Sequence, residues 1–140
     1  MYKRQVEIRA LDTQLSPRHT AALAAAVQAL ALHEARARPV EGPPAEILDE
    51  ASFRAAREGV RATLPDEHDT LRPVAELLQE AIARLRAAAG EVRCEAQLES
   101  LNELLSDGGG AGLQRAAHDT GGMAALLELL VARACDAAAS

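Results

Sequence analysis

The apolar residues of this chain recur every three or four positions over most of its length. Val74, Leu77, Leu78, Ile82 and Leu85 are the clearest run. That spacing lines one face of a helix; a strand would need a repeat of two. The apolar side chains are mostly Ala and Leu, in a chain 49% hydrophobic and 1% aromatic. Small and unbranched residues of this kind favour packed helices. With 140 residues there is enough chain for one domain with a real core.

Helix signals run in order along the chain. Ser16-Pro17 is a capping hydroxyl followed by proline at the first helical position, which predicts a helix to about Arg36. Its expected inner face is Leu23, Val27, Leu30 and Glu34. Residues 38–46 form a proline-rich loop. A second helix is expected from about Leu48 to Glu58, stopped by Gly59. Residues 60–69 read as a polar connection. A third helix begins near Thr70 or Pro73 and ends at Ala89-Gly90. A fourth is expected over Cys94 to Leu105 with Leu98, Leu101, Leu104 and Leu105 inward. Asp107-Gly108-Gly109-Gly110 reads as a flexible break. A short helix from Gly112 to His118 precedes Thr120-Gly121-Gly122. The last runs from Met123 to Cys135, and residues 137–140 fray.

One stretch departs from the helical period. Val6-Glu7-Ile8-Arg9-Ala10-Leu11 begins as an alternation and reads as one short strand. A single strand makes no sheet, so its partners are expected upstream. The fold class is therefore mainly α, one N-terminal strand with five or six helices.

The first five residues, MYKRQ, do not match the rest of the chain. Lys3 is the only lysine; the other fourteen basic residues are arginine. The arginine bias and abundant Ala and Gly suggest a GC-rich coding sequence, against which MYKRQ resembles a translated sequencing adapter. Residues 1–5 are expected to be an artefact, and residues 6–136 to belong to a longer chain.

The formal net charge is -6 with acids and bases interleaved, so no basic face points to nucleic acid. No apolar run reaches the ~18 residues of a membrane span, and no signal peptide is evident. The expected location is cytoplasmic. Cys94 and Cys135 make neither a metal pattern nor a disulfide framework. His19, His33, His68 and His118 show no metal-ligand spacing. The glycines at 108–110 lack a following Lys-Ser/Thr, which excludes a phosphate-binding loop.

Chemistry concentrates in the strand. Glu7 and Arg9 share a face two residues apart, a hard oxygen ligand beside a permanent cation. Mg²⁺ takes carboxylate and phosphate oxygens together, and arginine grips phosphate in a fork. A solvated ion pair is the plain alternative. His19, in the first turn of the next helix, either meets nucleotide or lies on the helix surface. Arg54, Arg57 and Arg61 form a basic stripe that could approach phosphate or a substrate carboxylate, or could be solvated and paired with Glu50 or Glu58.

These residues carry a resemblance. VEIRALDTQLSPRHTAALAAAVQAL is similar to the last active-site strand and following helix of bacterial carboxylate–amine ligases of the glutamate–cysteine ligase type 2 family. Their pattern is G-T-hydrophobic-E-hydrophobic-R-hydrophobic-hydrophobic-D, then a helix with a central Gln-Ala. Glu7, Arg9, Asp12, Gln28 and Ala29 match it. SFRAAREGV resembles the family's N-R-W/F-x-A-x-R-Y-G-L helix through Phe53, Ala55, Arg57 and Gly59. Ala51-Ser52 stands where the family has Asn-Arg, and Glu58 where it has Tyr. GAGLQRAAHDTGGMAALLELLV resembles the closing Gly-rich turn, a Gln-Arg pair (Gln114, Arg115) and the last helix.

The resemblance implies a parent fold of the α+β, glutamine-synthetase-like kind, an antiparallel sheet backed by helices. It implies an ATP-dependent ligase: glutamate's side-chain carboxylate is phosphorylated and an amine, typically that of cysteine, attacks the acyl phosphate. Glu7 would bind Mg²⁺, Arg9 would be catalytic and hold the phosphates, and Arg57 would contact nucleotide. Asp12 would fix the turn after the strand. Gln114 and Arg115 would line the cleft or start a helix in a surface loop. The implied partners are small substrates, the missing N-terminal part of the same chain and, in a homo-oligomer, a second copy; this fragment alone would be inactive. The competing reading is a stand-alone helical interaction or dimerisation module, which has no use for the strand.

Overall fold

A computed structural model describes residues 11, 14–38, 42–66 and 69–135. Glu7, Arg9 and the strand expected at 6–11, apart from Leu11, lie outside the described residues, as do Asp12, His68 and the tail at 137–140. The elements in chain order are α1 (Pro17–Arg36), α2 (Ala45–Glu58), a 3-10 turn (Gly59–Arg61), β1 (Thr63–Pro65), β2 (Leu71–Pro73), α3 (Val74–Glu91), α4 (Glu95–Glu99), a 3-10 segment (Ser100–Gly108) and α5 (Gly109–Cys135). The mainly α class holds.

α1 starts where the capping chemistry requires. The Ser16 hydroxyl accepts from the His19 N–H at 3.3 Å, and Pro17 follows at the first helical position. Its buried face, however, is Ala22, Ala25 and Ala29. Of the expected stripe, Leu23 and Val27 are half-buried, with Leu23 packed against the core, whereas Leu30 and Glu34 are exposed. Alanine wins the inner face because α1 packs on α3, which presents Ala88 and Ala89 alongside Ile82 and Leu85. Small side chains on both helices let the backbones approach closely.

α4 closes this core. Leu98 is fully buried and Leu101 nearly so. Cys94, buried at the head of α4, directs its thiol at the Ala25 carbonyl, 3.8 Å away. The fourth helix is shorter than expected because polar side chains compete with its backbone. Ser100 Oγ donates to the Gln97 carbonyl at 2.7 Å and Asn102 Nδ2 to the Glu99 carbonyl at 3.0 Å. The chain tightens to a 3-10 path from Ser100 onward.

The stretch at 60–69 is not merely a polar connection. β1 and β2 pair antiparallel in the register Thr63 to Pro73, Leu64 to Arg72 and Pro65 to Leu71. Asp66 builds the turn: its N–H donates to the Thr70 carbonyl, and its carboxylate accepts from the Thr70 N–H at 3.0 Å. Three-residue strands ending in proline carry too little alternation to be read from sequence. Arg72 then ties the hairpin to α3 by a fork onto Glu80, at 2.6 and 2.9 Å, and a bond to Glu76 at 3.2 Å.

The glycines at 108–110 do not form a loose break. Gly109 is buried at φ 71 and begins α5. A side chain there would meet the Leu104 carbonyl and Val60 at 3.3 Å. Gly109→Ala is expected to lower the unfolding free energy by about 1–3 kcal/mol, read as a lower urea midpoint. A second break matches expectation. α5 is two helices, residues 109–120 and 123–135, divided at Gly121-Gly122, where Gly122 takes φ 65.

Among the described residues, apolar surface is left open on several elements. Leu48 and Phe53 on α2, Leu71 on β2, and Met123, Leu127 and Val131 on the last helix are all more than half exposed. α2 buries no residue fully.

Two surface ion pairs give the stability a pH dependence. The hydrogen bonds from Arg72 hold the Glu80 carboxyl below its ordinary value of 4.5, and those from Arg36 do the same for Glu91. A carboxyl depressed by folding stabilises the fold above its ordinary pKa. That contribution is lost as pH falls below 4.5 through the depressed folded value. The urea midpoint of the double variant Glu80→Gln, Glu91→Gln is therefore expected to fall less steeply below this pH than that of the parent. Parallel profiles would show that the pairs contribute nothing.

Candidate functional site

The head of α1 opens onto a cleft of about 640 Å³. Three parts of the chain build its polar wall. α1 and its cap supply Ser16, Arg18 and His19; α4 and the 3-10 segment supply Gln97, Ser100 and Glu103; the last helix supplies Arg133. The N-cap geometry at Ser16 aims the first turn into the cleft, which places Arg18 and His19 side by side on its rim. Arg18 Nη2 donates to Glu103 Oε1 at 2.5 Å, and His19 Nε2 stands 3.8 Å from Glu103 Oε2. The His19 side chain is 15% exposed and Arg18 is 61% exposed. Among the described residues that line it, two guanidiniums and an imidazole share the cleft with one carboxylate.

A second groove, of about 390 Å³, runs between α2 and the hairpin. Its lining includes Ile47, Pro65 and Leu71 with Glu46, Glu50, Asp69 and Arg54. Arg54 Nε donates to Glu50 at 2.7 Å.

The residues singled out from sequence fall in different places. His19 lines the first cleft. Arg57 lies 70% exposed on α2, with Nε 3.9 Å from Glu58 Oε1, and lines neither cleft. Arg115 is exposed and Gln114 half-buried on the first half of α5, also outside both. Cys94 is buried, Cys135 exposed, and both are free thiols. Among the described residues no group of three or more His, Cys, Asp or Glu side chains is placed to hold a metal ion. No helix among them is long and apolar enough to cross a membrane.

Sequence patterning did not single out Glu103 or Arg133, although Arg133 is the only cation in the final helix and could have been marked on that ground. Its convergence with residue 18 depends on how that helix folds back.

Residues 1–131 match the family model described as "Glutamate-cysteine ligase family 2(GCS2)". A protein of Rubrobacter xylanophilus named "Putative glutamate--cysteine ligase 2-3" is 41% identical over 113 residues, 79% of this chain and 30% of the relative. A "Putative glutamate--cysteine ligase 2" of Micrococcus luteus is 35% identical over 116 residues, 79% of this chain and 29% of the relative. A second Rubrobacter xylanophilus protein, "Putative glutamate--cysteine ligase 2-1", is 30% identical over 84% of this chain and 32% of its own length. The chain spans about a third of the length of these curated relatives. With the family model covering all but its last nine residues, the chain belongs to glutamate–cysteine ligase family 2.

Proposed function

We propose that this chain is the C-terminal portion of an ATP-dependent carboxylate–amine ligase and is inactive by itself. The observation that carries the reading is the family match over residues 1–131. The E-x-R-x-L-D run at Glu7, Arg9 and Asp12 supports it. The reaction is amide formation at the side-chain carboxylate of glutamate, with cysteine as the expected amine. A carboxylate oxygen attacks the terminal phosphorus of ATP and ADP leaves. The amine nitrogen then attacks the acyl carbon, loses a proton, and inorganic phosphate leaves.

Arg57 is 70% exposed, and Gly109 packs against Val60 and the Leu104 carbonyl. The donor chemistry that fits lies in Glu7 and Arg9. A carboxylate is the hard ligand Mg²⁺ requires, and a guanidinium matches the phosphoryl oxygens on which charge develops. Arg57 would reach nucleotide only across an interface with the rest of the ligase.

The test is to sequence the source DNA upstream of Val6, express the longer protein and assay it beside the 140-residue chain. The longer protein should release ADP only when glutamate and an amine are both present, and the chain alone should release none. Turnover by the chain alone would defeat the fragment reading. A longer protein inactive with glutamate and every amine tried would defeat the ligase reading.

A further inference from the structure

The last helix, residues 123–135, has the composition of a core helix but stands at the surface. Its sequence, MAALLELLVARAC, holds two charges, Glu128 and Arg133. A helix that is apolar on nearly every side belongs in an interior. Here it is only half covered. Its inner side, Leu126, Leu129 and Leu130, is half-buried, and none of its residues is fully buried. Its outer side is open. Met123, Leu127 and Val131 are 60%, 54% and 65% exposed, and Glu128 is the only charge among the exposed residues of this helix.

Spacing makes one surface of these residues. Met123, Leu127, Val131 and Cys135 follow at intervals of four, the ridge that a helix lays into the groove of a neighbour. The ridge runs the length of the helix, about 20 Å. Cys135, at its end, is exposed and its thiol is free.

Area and chain length choose the occupant. The three large side chains offer on the order of 200–300 Å². A stable dimer needs about 800 Å² from each partner, so a second copy on this ridge alone is too weakly held. A segment of the same chain needs less area, because its tether supplies the effective concentration. The family match runs through Val131, and the chain spans about a third of its curated relatives. Met123, Leu127 and Val131 thus lie in a stretch shared with proteins of which about two-thirds has no counterpart here. The sequence after the helix, Asp-Ala-Ala-Ala-Ser, has no large apolar side chain to lay on the ridge.

We propose that this ridge docks on an apolar surface of the ligase upstream of Val6. The inference rests on the fragment reading and adds to it a second contact, apart from the strand at 6–11, through which this chain joins the rest.

The experiment is chemical footprinting of the longer protein beside the 140-residue chain, read residue by residue by peptide mass spectrometry. Peroxide converts exposed methionine to its sulfoxide, and iodoacetamide alkylates exposed thiols. In the 140-residue chain Met123 and Cys135 should react fast, and the buried Cys94 slowly. In the longer protein Met123 and Cys135 should both react at least about tenfold more slowly, with the protection unchanged on dilution. Slow reaction of Cys94 in both proteins shows that the fold is intact. The same rate for Met123 or Cys135 in the two proteins overturns the proposal. Protection that is lost when the longer protein is diluted also overturns it, since a second copy is then the cover. Neither rate depends on turnover. A protected but inactive longer protein keeps the docking and counts against the ligase reading. An active one with Met123 open keeps the ligase reading and ends the docking.

Discussion

Truncating Leu98 to alanine is expected to lower the unfolding free energy by about 3–5 kcal/mol, the upper part of the range for such a change. Leu98 is the one large side chain among the described residues with essentially no exposure. It sits where α4 meets α1 and α3. It belongs to a core cluster half of which is alanine, at positions 22, 25, 29, 88 and 89. Alanine has no rotamer to swing into a void, so the cavity would persist and its lining would lose contacts outright. Urea unfolding followed by circular dichroism measures the loss as a lower midpoint at unchanged slope. A loss under about 1 kcal/mol would mean that α4 collapses onto α1, and that the core is not a rigid junction. Leu48→Ala on α2 is the internal control: that side chain is more than half exposed, and little should change.

The second large effect belongs to the chemistry. On the ligase reading proposed above, Arg9→Ala in the longer protein is expected to reduce kcat by about 10²–10³-fold, the loss typical of removing one donor from a developing charge. Arg9→Lys should recover part of it, because the charge returns without the bidentate fork. Glu7→Gln should instead raise the Mg²⁺ concentration needed for half-maximal rate, since an amide is a poorer hard-cation ligand than a carboxylate. Steady-state rates at varied Mg²⁺ separate the two roles. A rate unchanged by Arg9→Ala would remove this residue from the phosphoryl site.

The local signals in the sequence held wherever a short-range interaction decides the outcome. Ser16-Pro17 caps α1 because hydroxyl and proline act within one turn. Gly121-Gly122 divides the last two helices because the break needs only the backbone of those residues. Of the stripe Val74, Leu77, Leu78, Ile82 and Leu85, the last two are buried and the first three half-buried, all on the side its period requires. What failed depended on partners far along the chain. Leu30 fits the apolar period of α1, yet it is exposed, because the face of α1 that packs into the core is Ala22, Ala25 and Ala29, with Leu23 and Leu32 at its margin. The hairpin at 63–73 exists through its pairing and the fork of Arg72 onto Glu80, and neither is visible in a run of three residues.

The candidate sites divide in the same way. Glu7 and Arg9 are singled out by sequence alone: the alternation at 6–11 reads as a strand, in which residues two apart would share a face, and both lie outside the described residues. The helical class and the family pattern are likewise properties of the sequence, written in its periods and motifs. The cleft at the head of α1 is a property of the tertiary structure. Arg18 and Glu103 are 85 residues apart in sequence, and Arg133 lies further on still. No periodicity links them. They meet because α4 folds back onto α1 and the last helix turns at Gly121-Gly122. Side-chain convergence over such separations is set by packing, which sequence period alone does not encode.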